Sequence, residues 1–376
     1  MAENRLRALV VGMSSTEICG VRDHATLLGE GLRAEGVECS MTWLARRASS
    51  LAGSRAEVSA WAQELERELS RERPDFVLLH YSVFAFAHRG VPLFVHPLTR
   101  VLRRSGVPVL TIVHEAVYPW TIGGLRGKLW ALTQRMLLID VMRISRAVLV
   151  TADFRARWLS SRRWLPRRPV VVAPVFSNLP APRASARPEP TSAAIGLFGY
   201  SYEGAALSLV LDALALLRER FDQAQLLLLG APGRSSPAAE EWERAARERG
   251  LEQALSFTGT LSAQELADAL SACAVLLFVN SGGPSSRKGT LAGSLGSGAP
   301  VVALDGPRRW SEIHDGEVLR LVGDDPSQLA EAVAELLDDR ELRDALGVRG
   351  RDFAERQMGV ARTAQALMGL AGQAGV

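Results

Sequence analysis

The chain alternates short apolar runs with longer amphipathic stretches, and it does so in two successive series. The first series of apolar runs covers residues 8–11, 38–43, 76–80, 107–113, 147–150 and 170–172. The second covers residues 194–198, 225–229, 255–258, 275–279, 301–304 and 318–321. Continuous apolar runs of this length are typical of buried parallel strands, and the stretches between them have helical spacing. The pattern predicts an α/β protein made of two Rossmann-like, doubly wound domains.

A segment rich in proline, alanine and serine, residues 180–191, separates the two series and has the composition of a linker. We therefore predict an N-terminal domain over 1–180, a linker over 181–192 and a C-terminal domain over 193–350. Residues 351–376 are predicted to form a C-terminal helix that packs back on the N-terminal domain. Ligands of such sheets bind outside the carboxyl ends of the strands, so two facing edges predict a ligand cleft between the domains.

Composition and charge narrow the classes of partner. The chain has 44 basic and 41 acidic residues, and its net charge of +3 suits an anionic partner. Nucleotide phosphates, an acidic lipid surface and nucleic acid are such partners, and a charge this small does not choose among them. The chain has no signature of nucleic-acid binding. Its cysteines, Cys19, Cys39 and Cys273, are too far apart for a disulfide framework or a zinc site and fit a reducing compartment. No cluster has metal-ligand spacing and no apolar run is long enough to span a membrane, so we expect a cytoplasmic protein without metal or cofactor.

Residues 128–146 form a helical stretch with apolar residues at regular spacing, flanked by arginines. One interpretation is that this stripe faces the core of the N-terminal domain. The other is a peripheral contact with an acidic membrane surface at the inner face, which the arginine-rich residues 155–168 also favour.

The loop of residues 280–290 (NSGGPSSRKGT) is the strongest local signal of function. It joins the predicted strand 275–279 to a predicted helix that begins at Gly289. A helix N-terminus offers free N–H groups and a partial positive charge to an anion. Arg287 and Lys288 add charge-assisted hydrogen bonds, and the glycines allow close approach of a phosphate. The loop therefore predicts a diphosphate site, although a polar βα loop with a solvated Arg–Lys pair has the same appearance.

The stretch from this loop through residues 298–303 (GAPVVA) resembles the donor-site motif of retaining GT-B glycosyltransferases, in particular the large group called family 4. The resemblance extends over nearly the whole chain, through the segments 20–24 (GVRDH), 75–81 (DFVLLHY), 113–115 (VHE) and 257–266 (FTGTLSAQEL). It implies an enzyme that moves a sugar from a nucleoside-diphosphate sugar to an acceptor with retention of configuration. The acceptor it implies is a small molecule, a glycan or a lipid-linked compound.

The sequence departs from the family pattern at three places. The two family carboxylates, which contact the donor sugar and the ribose, fall at Ser285 and Gly293, and neither is acidic. The family's Arg and Lys after the first strand of the C-terminal domain are missing from residues 199–204 (GYSYEG). We expect Arg287 and Lys288 to supply that charge from the neighbouring loop.

The predicted site residues follow from the residues and the resemblance together. The catalytic residues are His114, Arg287 and Lys288. The donor-binding residues are Gly20, Gly199, Gly204, Phe257, Ser285, Ser286, Gly289 and Thr290. The acceptor-side residues are Arg22, His80 and Glu115. Two alternatives to a transferase stay open: a catalytically degenerate chain that acts as a binding or scaffold partner, and a nucleotide-sugar epimerase of the same fold.

Overall fold

The computed structural model describes residues 5–15, 19–183, 193–200 and 206–376. The chain divides into two compact units. The N-terminal domain comprises residues 1–174 together with 360–376, and the C-terminal domain comprises residues 175–359. The greater part of the predicted linker, residues 184–192, lies outside the described residues.

The N-terminal domain is built on a six-stranded parallel sheet in the order β2-β1-β3-β4-β5-β6. Its strands are β1 (Arg7–Ser14), β2 (Glu38–Ala45), β3 (Phe76–Ser82), β4 (Val109–Glu115), β5 (Ser145–Val150) and β6 (Val170–Val172). Their apolar side chains, led by Leu9, Val11, Val77 and Leu79, are buried as continuous runs, as expected of a sheet covered on both faces. The strand order reverses between β1 and β3, which is where doubly wound sheets bind their ligands.

Within its described residues, this domain has six α-helices. They are α1 (Gly20–Ala34), α2 (Leu51–Glu72), α3 (Val95–Ser105), α4 (Gly124–Ile144), α5 (Asp153–Ser160) and, from the far end of the chain, α12 (Val360–Gln373). Helix α12 packs against α1, where Val360 Cγ1 would stand 2.4 Å from a Cβ added at Gly31.

The C-terminal domain has a second six-stranded parallel sheet, in the order β12-β11-β10-β7-β8-β9. Its strands are β7 (Ala194–Phe198), β8 (Gln225–Leu229), β9 (Leu255–Gly259), β10 (Val275–Phe278), β11 (Val301–Leu304) and β12 (Arg320–Val322). Numbered within the domain this is the order 3-2-1-4-5-6 of dinucleotide-binding sheets, with its reversal between β7 and β10. The predicted fold class, two Rossmann-like α/β domains, is confirmed.

The helices of the C-terminal domain are α6 (Leu207–Arg218), α7 (Pro237–Arg247), α8 (Ala263–Ser271), α9 (Gly289–Gly296), α10 (Pro326–Asp338) and α11 (Arg340–Gln357). Local sequence explains several of their ends. Ser262 and Glu265 form a complete capping box at the start of α8, and Asp325 caps α10 just before a proline in its first turn. Among the described residues, no helix is long and apolar enough to cross a membrane.

Candidate functional site

A pocket opens at the point where the C-terminal sheet reverses its strand order. The ends of β7 and β10 line it, together with the loop that leads into α9. It has about 330 Å³ of empty volume and is lined by Leu197, Phe198, Gly199, Phe278, Val279, Asn280, Lys288 and Thr290. The structure thus brings three predicted site residues, Gly199, Lys288 and Thr290, around one space.

The loop between β10 and α9 presents the start of a helix to this pocket. Lys288 is the N-cap residue of α9, and its carbonyl accepts from the N–H of Leu291 at 3.1 Å and of Ala292 at 3.2 Å. The N–H groups of Gly289 and Thr290 precede these and have no helical carbonyl to bind. The first turn of α9 contains no acidic residue, so its partial positive charge is not offset within the helix.

Lys288 carries the electrostatic signature of an anion site. Its side chain is half-buried, and its pKa is lowered, first by burial and then by the charges of Arg287 and Arg308. Three cations held close together repel one another, and the repulsion is relieved when an anion of charge two or more binds between them. The arrangement therefore favours a diphosphate over a neutral ligand.

Arg308 was not predicted as a site residue, because it lies in the loop after β11 and not in the loop that contains Arg287 and Lys288. Two glycine-rich loops touch and bring it to the site. The N–H of Arg308 donates to the carbonyl of Gly282 at 2.8 Å, and Gly306 packs on Gly283 backbone to backbone. The sequence indicates this close contact between the two loops only through the glycines that each loop has at the contact.

Ser285, Ser286 and Gly293, by contrast, are buried. The carbonyl of Ser286 accepts from the N–H of Val175 at 2.8 Å. A Cβ at Gly293 would stand 3.2 Å from Leu179 Cδ1 and 3.4 Å from Phe198 Cε1. Since Ser285 and Gly293 stand where the resemblance places acidic residues, a carboxylate at position 293 would force these neighbours to move.

The other predicted donor-side residues are distributed along the same sheet. Gly199 has a φ of 86°, a conformation that favours glycine, and it follows β7 directly. Phe257 lies on the edge strand β9, where its ring meets that of Tyr200 edge to face at 5.8 Å. Gly204 lies outside the described residues.

In the N-terminal domain the structure gathers three histidines at the reversal of the sheet. Nδ1 of His80 lies 3.1 Å from Nε2 of His114, and the two rings are stacked. His24, from α1, meets both rings edge to face, with centroids 5.7 Å from His80 and 5.1 Å from His114. Sequence spacing gives no hint of this group, because its members come from three separate elements.

Burial keeps this group uncharged. Burial lowers the pKa of His24 from 6.5 to about 4. The pKa values of His80 and His114 are lowered further below the usual range, first by burial and then by the neighbouring histidines. His24 and His80 are almost fully buried, whereas His114 is partly exposed and is the member that a ligand can reach.

The remaining N-terminal predictions lie around this group. The carboxylate of Glu115 is exposed and accepts from Ser82 Oγ at 3.0 Å. Arg22 is exposed in the first turn of α1. Gly20 is the first residue of that helix, and among the described residues no atom stands within 4 Å of a Cβ added there. Helix α1 begins at Gly20, so the whole segment 20–24 is helical.

Helix α4 has two apolar faces. One face is buried in the domain core through Ala131, Leu138 and Val141. The other is exposed, and Leu125 is 86% accessible. With the turn before the helix, this exposed face comprises Trp120, Ile122, Leu125, Leu129, Leu132 and Met136. Exposed Arg126 and Lys128 lie on the same helix, and Arg135 lies over the ring of Trp120 at 4.5 Å. The core-facing interpretation of this stretch therefore holds for one face of the helix, and a membrane contact through the other face stays a prediction.

Comparisons with known proteins find a family likeness in the C-terminal part of the chain. Residues 189–339 match the family model "Glycosyl transferases group 1". Over 177 residues the chain is 29% identical to the phosphatidyl-myo-inositol mannosyltransferase of Mycobacterium leprae. That alignment covers 47% of this chain and 45% of the mannosyltransferase.

Solved structures show that the likeness of fold extends over the whole chain. Sucrose-phosphate synthase from Thermosynechococcus elongatus superposes with a TM-score of 0.72 at 17% identity, covering 98% of this chain and 99% of that one. HepE from Anabaena, solved in complex with UDP, superposes with a TM-score of 0.69 at 12% identity, covering 98% and 100%. At these identities the structural likeness establishes the fold.

Proposed function

We propose that this protein transfers a sugar from a nucleoside-diphosphate sugar to an acceptor. The proposal starts from two findings: residues 189–339 match the family model of the group 1 glycosyl transferases, and the chain has the GT-B fold. One observation carries the proposal. Lys288 lines the pocket beside the N-terminus of α9, where the C-terminal sheet reverses its order, and the charges of Arg287 and Arg308 lie near enough to lower its pKa.

The donor diphosphate binds at this loop. As the bond between the sugar and the diphosphate breaks, negative charge grows on the leaving phosphate oxygens. The cations and the N–H groups at the start of α9 stabilise that charge more than they stabilise the intact donor, which lowers the barrier. Gly199 lines the same pocket, and we assign it to the diphosphate. Phe257 lies on β9, farther along the sheet, and we assign it to the base.

The acceptor side is assigned to the N-terminal domain, with Arg22 and Glu115 as exposed polar contacts and His114 as the catalytic residue. His80 is 1% exposed, so it acts by holding His114 through their hydrogen bond rather than by touching the acceptor. Retention of configuration is proposed from the family resemblance. Neither metal nor cofactor enters this proposal for the donor site.

The exposed face of α4 supports a further part of the proposal, a peripheral contact with an anionic membrane surface. A helix with exposed leucines beside arginine and lysine lies in the interface of a bilayer, with its apolar side chains among the acyl chains. We place the protein in the cytoplasm, at the inner face of the membrane. A lipid-linked acceptor would be presented at that surface.

The test is a product assay with sugar donors of UDP, GDP, ADP and TDP, with and without an acceptor mixture of glycans and lipid extracts. UDP donors come first, because the HepE structure holds UDP. The proposal expects one nucleotide class to be consumed, with the sugar transferred to an acceptor and its anomeric configuration retained by NMR. A changed sugar on the intact nucleotide, formed from donor alone, would indicate the epimerase. Consumption of no donor, with selective nucleotide binding intact, would indicate the scaffold alternative.

A further inference from the structure

We infer that His24, His80 and His114 form a binding site for a divalent transition-metal ion, with zinc as the reference ion. The site shares His80 and His114 with the acceptor side of the proposed sugar transfer, and it goes beyond that proposal by giving these residues an ion to bind, independently of the donor loop in the other domain. The three side chains offer one nitrogen each, and these nitrogens all lie within 4.8 Å of one another. Three imidazoles are a ligand set that binds zinc, cobalt, nickel and copper.

The position of the cluster is where this fold places ligands. β1 and β3 are neighbours at the reversal of the sheet, with Gly12 opposite His80. His114 follows on β4, next to β3, and His24 comes from the helix after β1. Three elements that are distant in sequence thus direct imidazoles to one point at the carboxyl ends of the strands.

The distances suit one ion. Nitrogens bound to zinc at 2.0–2.1 Å in a tetrahedral site lie roughly 3.4 Å apart. Nδ1 of His80 and Nε2 of His114 already lie 3.1 Å apart. The other separations are within 4.8 Å, so they need to shorten by at most roughly 1.4 Å when an ion binds. The imidazole of His24 can supply this movement by rotating about its side-chain bonds.

A packed group of neutral histidines is the competing explanation, since one imidazole can donate to the other across the 3.1 Å between Nδ1 of His80 and Nε2 of His114. Nε2 of His80, which is buried and has no hydrogen-bond partner among the described residues, lies across the ring from Nδ1. It therefore favours neither explanation, and titration with metal distinguishes the two.

The surroundings fix the rings and leave one side open. Trp43 lies edge to face against His80, with centroids 6.1 Å apart, and its indole N–H donates to Ser14 Oγ at 3.2 Å. The same indole covers Gly12, where a Cβ would stand 2.1 Å from it. His114 is partly exposed, so the fourth position of a three-histidine site faces the surface of the domain. A site with three protein ligands and an open position admits a water molecule or an oxygen ligand.

The experiment uses the full chain, stripped of metal with a chelator. It is titrated with zinc by calorimetry and with cobalt by visible absorption, which reports the coordination geometry. The expected result is one ion per chain and a cobalt spectrum of four- or five-coordinate nitrogen ligation. His114→Ala and His80→Gln are expected to weaken binding by more than about 100-fold, since losing an outer-shell partner alone costs 10- to 100-fold.

Two exposed histidines, His96 and His314, provide the matched controls, and their alanine variants are expected to bind as the wild type does. Because His80 is buried, circular dichroism checks that its variant is folded. If the His80 variant is unfolded, the variant of the partly exposed His114 provides the test. Absence of zinc binding in the wild type, or unchanged affinity in folded His114→Ala, would overturn the inference. Arg287→Ala is expected to keep the zinc site, so failure of the donor proposal and failure of the metal site are seen separately.

Discussion

Gly306 lies so close to Gly283 that a Cβ added at Gly283 would stand 2.8 Å from the Gly306 nitrogen. The contact joins the loops that follow two adjacent strands, β10 and β11. Through it the second loop delivers Arg308 to the neighbourhood of Lys288. The cationic site is therefore held by backbone packing between loops, which only glycine allows at this distance.

Gly306→Ala tests this packing. Its Cβ would stand 2.5 Å from the Gly283 nitrogen and the Gly282 carbonyl carbon, so the two loops must separate. Overpacking of this kind costs about 1–3 kcal/mol of stability. Losing the contribution of Arg308 to a bound diphosphate, a charge-assisted hydrogen bond of about 1.5–3 kcal/mol, lowers affinity roughly 10- to 100-fold. Calorimetry with the preferred nucleoside diphosphate measures the affinity.

The matched control is Gly296→Ala, in helix α9 of the same domain. Among the described residues, no atom beyond its chain neighbours and its own helix backbone lies within 4 Å of a Cβ at this position. The variant should therefore bind nucleotide as the wild type does and gain up to about 1 kcal/mol of stability. Equal nucleotide affinities for the two alanine variants would contradict the assignment of Arg308.

The affinity for a diphosphate should fall at alkaline pH because of Lys288. The ammonium form binds phosphate, and its pKa is lowered by burial and by Arg287 and Arg308. As pH rises through that lowered pKa the charge is lost, so affinity declines before the ordinary lysine value of about 10.4 is reached. In Lys288→Arg the charge persists and the decline should disappear. Calorimetric titrations above pH 7.5 measure both profiles, and parallel profiles would argue against a role for Lys288.

Much of the fold is readable from the sequence, because buried parallel strands are continuous apolar runs. Strands β6, β7, β8 and β11 have the predicted bounds. The predicted strand 318–321 begins two residues too early. Leu319 forms a bridge with Asp315 in the preceding turn, and β12 begins at Arg320. Residues 351–376, predicted as one C-terminal helix, contain the end of α11 and all of α12, which are separated near Gly359.

The candidate site was less accessible to sequence reasoning, for a physical reason. Arg287 and Lys288 are recognisable because one loop and one helix start make their site. Arg308 and His24 reach their partners only through the order of the strands, which the spacing of residues along the chain does not encode. Both residues were therefore found by the structure.

The metal-free protein should lose stability on mild acidification through His24. Its pKa is about 4 when folded and near 6.5 when unfolded, since burial among His80 and His114 penalises the charged form. The unfolded state therefore binds the proton first, and stability falls as pH drops from 6.5 to about 4. The contribution of His24 is on the order of 3 kcal/mol, and His80 and His114, whose pKa values are also lowered, add to it. Urea unfolding in the presence of a chelator measures it.

His24→Asn, which cannot titrate in this range, should show a shallower dependence on pH. The exposed His314→Ala is expected to retain the wild-type slope. Identical slopes for the wild type and His24→Asn would show that other groups control acid unfolding.

The exposed face of α4 should determine binding to anionic vesicles. Leu125→Ser and Leu129→Ser remove apolar side chains that the domain core does not use, so the melting temperature should change little. Vesicle binding should fall roughly tenfold for each, since burying one leucine is worth about 1.5–3 kcal/mol. Co-sedimentation with phosphatidylglycerol vesicles measures this, and neutral phosphatidylcholine vesicles serve as the reference. Equal binding of wild type and variants to the anionic vesicles would exclude this face.

The most direct test of the donor site is calorimetric titration of the wild type with UDP, GDP, ADP and TDP, repeated with Lys288→Ala and Arg287→Ala. Arg340→Ala, an exposed arginine of α11, is the control. We predict selective binding of one nucleotide, weakened at least tenfold in both site variants and unchanged in Arg340→Ala. Absence of binding to all four nucleotides, or full affinity in both site variants, would contradict a donor site at the start of α9.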